Sequence, residues 1–169
     1  MPNVSLVRHQ AATLPAWEVA ATLPARMVVA LASPSTLPAL KLDQERALLE
    51  TALLKNPRIQ ATFVANATPD TLFAGGQQAH LFHFAGHGDF QNGEGVIALD
   101  DGYGDAALLT AGELAVQLRQ MGVRVAVLGA CRSGRRDGVN VWGSVATALL
   151  KAGLGAVVAA CAPDASTAP

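Results

Sequence analysis

Short, wholly apolar runs alternate along the chain with mixed polar and apolar segments, and that alternation predicts buried strands separated by helices. Met27-Val28-Val29-Ala30-Leu31 is apolar throughout and stops at Ser33-Pro34, as a strand covered on both faces does. Over residues 40–54, Leu42, Leu48, Leu49 and Leu53 recur among Lys, Asp, Glu and Arg, which predicts an amphipathic helix halted at Asn56-Pro57. Residues 59–64 are expected as a second strand, and Thr68-Pro69-Asp70 opens a short helix, with Thr as cap and Pro in the first turn. A third strand is expected over residues 79–85 and a small inserted hairpin over 93–99, closed by Asp100-Asp101-Gly102. Thr110, with Glu113 three residues on, forms a capping box for a helix reaching Met121. A strand at 123–128, a helix at 141–152 and a fifth strand at 154–160 complete the pattern. Strands alternating with helices make an α/β fold, a mostly parallel sheet between helical layers with right-handed crossovers.

Composition narrows the function classes. With 169 residues the chain is one domain long enough to bury a core. Residues 1–25, rich in Ala, Pro and Thr, are expected as a leader segment, and 26–169 as the domain. The formal charge of −1, with no basic stripe, argues against nucleic acid as a partner. Every apolar run is interrupted too soon to span a bilayer, so no membrane partner is expected. The N-terminus lacks the layout of a secretory signal, and the expected location is the cytoplasm. Two cysteines do not make a disulfide scaffold, and four histidines without a Cys-x-x-Cys pair do not make a zinc finger. No cofactor is implied.

Two segments carry the chemistry. His80-Leu81-Phe82-His83-Phe84-Ala85-Gly86-His87-Gly88 and Ala130-Cys131-Arg132-Ser133-Gly134 each follow a strand-like run. Parallel neighbours bring their carboxyl ends to one edge, where a thiol and an imidazole distant in sequence can meet. Cys131 is either a structural cysteine or a nucleophile. Arg132, Arg135 and Arg136 beside it favour the thiolate. Gly86 and Gly88 around His87 are expected to allow a tight turn and close approach by a substrate. The Gly88 N–H is a candidate oxyanion donor beside that of Cys131.

The other polar residues have plainer readings. His83 and His87 at i and i+4 suggest a metal pair, but the run is a strand and a third ligand is missing. His80 and His83 are expected as packed residues with one hydrogen bond each. Asp89 is a candidate for orienting the site, and Cys161, at the end of the fifth strand, for a pocket wall. Glu94, Asp100, Asp101 and Asp105 are expected as turn residues rather than a cation site. The Cys131 segment lacks the Lys-Ser/Thr of a phosphate loop. It resembles a nucleophile elbow, but every histidine precedes Cys131, which counts against a small-molecule hydrolase or an amidotransferase of that type.

Phe82-His83-Phe84-Ala85-Gly86-His87-Gly88, Leu108-Leu109-Thr110-Ala111-Gly112-Glu113-Leu114 and Val127-Leu128-Gly129-Ala130-Cys131-Arg132-Ser133-Gly134 resemble the CHAT family of caspase-like cysteine peptidases. So does the stretch from Ala146 through Ala159. The resemblance implies a caspase–hemoglobinase fold, a three-layer α/β/α sandwich, in an intracellular bacterial endopeptidase that cuts a protein substrate. His87 would be general base and acid, Cys131 the nucleophile, and the N–H groups of Gly88 and Cys131 the oxyanion donors; Arg132, next to Cys131, is a candidate pocket or orienting residue. The resemblance also implies a regulatory repeat or sensor protein as partner. Family members generally continue past the fifth strand into loops that build the specificity pocket. The chain ends at Pro169, so that part is expected to be missing or supplied by a second chain. A catalytically inactive scaffold on the same fold is the alternative reading.

Overall fold

The structure, a computed structural model, describes residues 23–73, 78–130 and 141–161. It is an α/β fold whose elements run in the order β1 (Ala25–Leu31), α1 (Leu42–Leu54), β2 (Ile59–Ala65), α2 (Pro69–Phe73), β3 (Leu81–Gln91), β4 (Glu94–Asp100), β5 (Ala106–Thr110), α3 (Ala111–Gln120), β6 (Val125–Ala130), α4 (Val141–Lys151) and β7 (Ala156–Cys161). Five strands are parallel, in the order β2-β1-β3-β6-β7. β4 and β5 add an antiparallel meander to the far half of β3. The expected α/β architecture, with a mostly parallel sheet covered by helices, is the observed one.

Strand alternation divides the interior in two. Val28, Ala30, Phe82, Phe84, Ala126 and Leu128 face α3 and α4 and join Leu114, Leu118, Val145 and Leu149 in the larger core. Met27, Val29, Leu31 and Ala85 face the other way, against Leu42, Leu49 and Leu53 of α1. The sandwich therefore has α1 on one side and α3 with α4 on the other. Leu48, expected on the apolar stripe of α1, is 73% exposed. One residue before Leu49, it points about 100° round the helix from the stripe that Leu42, Leu49 and Leu53 form.

The third strand differs most from expectation. It does not end at Ala85. β3 continues through Gly86-His87-Gly88 and exchanges its parallel neighbours, paired up to Gly86, for antiparallel β4, paired from His87 onward. The expected turn at the glycines is absent. The turn comes at Asn92-Gly93, with φ of 51° and 82°. Positive φ at both central residues is the requirement of a type I′ hairpin, and Asn-Gly is its commonest sequence. β5 was not expected, and it leads directly into Thr110, the cap of α3. There Thr110 Oγ1 accepts from the Glu113 N–H at 3.2 Å and the Glu113 carboxylate accepts from the Thr110 N–H at 2.9 Å, closing the capping box. Thr68 caps α2 as expected, its Oγ1 accepting from the Thr71 N–H at 3.0 Å.

Candidate active site

His87 stands where β3 leaves the parallel sheet. Its imidazole is buried, and Nε2 lies 2.8 Å from the carbonyl oxygen of Pro38 in the loop between β1 and α1. A carbonyl oxygen only accepts, so Nε2 carries the proton of this bond, and in a neutral ring Nδ1 is then the acceptor nitrogen. The loop that supplies the carbonyl is tied down along its length. The Ala32 N–H donates to the Ala85 carbonyl at 3.0 Å, and the Leu40 N–H to Ser33 Oγ at 3.3 Å. Ser35 donates its N–H and its hydroxyl to the Gly104 carbonyl, at 2.8 and 2.9 Å.

The two flanking glycines serve the protein's own packing. A methyl group at Gly86 would come within 2.5 Å of the Phe84 ring and 2.9 Å of the Ala32 carbonyl. One at Gly88 would come within 3.0–3.2 Å of Trp142 and Val141 at the start of α4. Phe84 and Trp142 pack ring on ring, with centroids 6.0 Å apart, beneath this part of β3. The close approach expected of a substrate is thus made by these groups. His87 owes its place in the strand to the absence of side chains on either side.

Cys131 and Arg132 lie outside the described residues, as does His9. The chain enters that segment at Ala130, which is in register with Gly86 on β3. It returns at Val141, whose Cγ1 is 3.1 Å from the Cβ position of Gly88. Ala130 and Val141 therefore adjoin the two residues that flank His87. Cys161 is in register with Ala130, level with Gly86 and not with His87. Asp89 is exposed, and its carboxylate accepts from the N–H of Phe90 at 2.8 Å.

The remaining histidines have the partners expected of packed residues. His80 Nδ1 accepts from the Arg26 N–H at 3.0 Å, and His83 Nε2 lies 3.1 Å from Glu45 Oε1 of α1. His83 and His87 thus turn their Nε2 atoms to different partners. Among the described residues no three His, Cys, Asp or Glu side chains are grouped to hold a metal ion. In the acidic loop Asp100 accepts from the Gly102 N–H, and Asp101 from those of Tyr103 and Asp105, as turn carboxylates do. Glu94 accepts from the Gly112 N–H at 2.8 Å, at the positive end of the α3 dipole.

Two contributors to the site were not found from sequence. The Pro38 carbonyl is a backbone group, and no residue type announces it. Its only signal is a proline-containing loop leaving the carboxyl edge of a parallel strand, which is where such folds place their sites. Glu45 looks like any helix-surface carboxylate until α1 is docked over β3.

A family model for the CHAT domain matches residues 3–167. No curated protein shows a significant sequence match to the chain.

Proposed function

Because the chain belongs to the CHAT-domain family, which is related to the caspase-like cysteine peptidases, we propose that it is a cysteine endopeptidase with Cys131 as nucleophile and His87 as general base and acid. The bond from His87 Nε2 to the Pro38 carbonyl carries this reading. A nucleophile–base pair works when a third group orients the base, and here a carbonyl fixes both the ring and its tautomer. Nδ1 is left to take the thiol proton.

Topology supports the partner. Residue 131 is one peptide, about 3.8 Å of chain, beyond Ala130. Ala130 sits opposite Gly86 on a neighbouring strand, and such strands lie about 4.8 Å apart. The Cβ position of Gly129 looks toward Glu45 and His83, on the α1 face. His83 and His87, two and two again along β3, share that face.

The hairpin also favours an oxyanion role for Gly88. A two-residue turn is closed by a hydrogen-bonded pair, here Gln91 with Glu94. Pairs then alternate, so His87 is hydrogen-bonded to Ala98, while Gly88 and Ile97 form a non-hydrogen-bonded pair. The Gly88 N–H is left to the other side of β3, the side on which β6 lies.

In the reaction, the thiolate of Cys131 adds to the peptide carbonyl while the Gly88 and Cys131 N–H groups hold the oxyanion. The C–N bond breaks as the His87 imidazolium gives its proton to the amine. Water, deprotonated by His87, then hydrolyses the thioester and restores the thiol. The substrate is a protein, cut in the cytoplasm, where a thiol stays reduced. A repeat or sensor protein provides the regulation. No helix among the described residues is long and apolar enough to cross a membrane.

Cleavage of a cognate protein tests this. Cys131→Ala should lower kcat by about 10³-fold or more with the thermal midpoint unchanged. Undiminished cleavage by that variant overturns the reading. A wild-type chain that binds the protein and leaves it intact assigns the scaffold role instead.

A further inference from the structure

Glu45 meets the same strand that carries His87. Its Oε1 lies 3.1 Å from Nε2 of the buried His83, four residues before His87 on the same face of β3. Glu45 belongs to the first turn of α1, and its N–H and that of Gln44 close on the Lys41 carbonyl. Three residues further back in the chain is Pro38, the acceptor for His87. β3 therefore grips one continuous segment at two points, with His87 on Pro38 and His83 on Glu45.

The second grip has a requirement in β6. The Cβ position of Gly129 is only 3.0 Å from Glu45 Oε1 and 3.7 Å from His83 Nε2. Glycine there leaves the carboxylate room to enter. Few apolar residues of α1 hold it to the sheet: none of its residues is fully buried, and Leu42, Leu49 and Leu53 pack only partly. A polar anchor at its first turn thus bears directly on where the Pro38 carbonyl stands.

We propose that Glu45 is a positioning residue for His87, acting through His83 to lock the start of α1 and with it the Pro38 carbonyl that orients the imidazole. This rests on the reading of His87 as the catalytic base, but its test does not use activity. The His87 Nε2–H, held by Pro38, should exchange slowly with water and give a downfield proton resonance by NMR, assigned through its loss in His87→Gln. In Glu45→Ala its exchange should quicken by about tenfold or more, the mark of a bond that opens more often. Glu45→Gln retains an acceptor oxygen and should restore slow exchange. Backbone amides of α3, on the opposite face, should exchange alike in all variants, which separates local release from general loosening.

Exchange of the His87 Nε2–H within twofold of wild type in folded Glu45→Ala overturns the proposal. If that variant does not fold, Glu45→Asp, one methylene short of His83, is judged by the same criterion. Failure of the peptidase reading shows differently: Cys131 is then inert while the His87 resonance still answers to Glu45.

Discussion

The His87 imidazole is oriented by a backbone carbonyl, so its geometry depends on residues that keep backbone in place. Gly86 is the most constrained of them. A Cβ there meets the Phe84 ring at 2.5 Å and the Ala32 carbonyl at 2.9 Å, and the carbonyl belongs to the loop that leads to Pro38. Gly86→Ala must push one of them aside, and overpacking of this kind costs about 1–3 kcal/mol. Chemical denaturation should show that loss with an unchanged m-value, and the surviving folded fraction should have a lowered kcat. Wild-type stability in Gly86→Ala contradicts the packing described. This constraint was half legible in the sequence. Glycines around a histidine signal a close approach, but not whether a substrate or the protein's own ring makes it.

At the scale of elements, local chemistry was the readable part. The α3 capping box, the α2 cap and the all-apolar β1 appear where residue type alone dictates them. What sequence did not reveal was decided by partners distant in the chain. β3 runs on past Gly86 because β4 is there to pair with it, and Asn92-Gly93 was the available signal for that hairpin. β5, Ala-Ala-Leu-Leu-Thr, has no alternation and is a strand only because β4 lies beside it.

The α3 cap carries its own pH dependence. The hydrogen bonds from the Thr110 backbone and then its hydroxyl hold the Glu113 carboxyl below its usual range. A carboxylate with a lowered folded pKa stabilises the native state above its unfolded pKa. That contribution is lost as pH falls through the folded value. Glu113→Gln should therefore be less stable than wild type at neutral pH, and the gap in Tm should close as pH drops below about 4. A gap that stays constant from pH 7 to pH 3 contradicts the ionised cap. Thr110→Ala should cost about 1 kcal/mol at neutral pH.

At the scale of the molecule, the described residues clad the sheet's two faces unequally. One bears the large core with α3 and α4. The other carries α1 over β1, β2 and β3, and on that side Val158 of β7 is 54% exposed. The candidate chemistry sits on the thinner side, at the carboxyl edge where β3 changes partners. That edge was legible from the order of strands and helices, since parallel strands bring their carboxyl ends together. The orienting carbonyl and the Glu45–His83 grip were not, because both arise only when α1 and its loop are laid across the strand.

If His87 activates Cys131, the rate at which a peptidyl thiol-directed electrophile labels Cys131 depends on that imidazole. Mass spectrometry of the intact fold should find Cys131 modified far faster than Cys161, with the advantage lost in His87→Ala. Equal labelling of the two cysteines, or fast labelling of Cys131 that persists without His87, contradicts that activation.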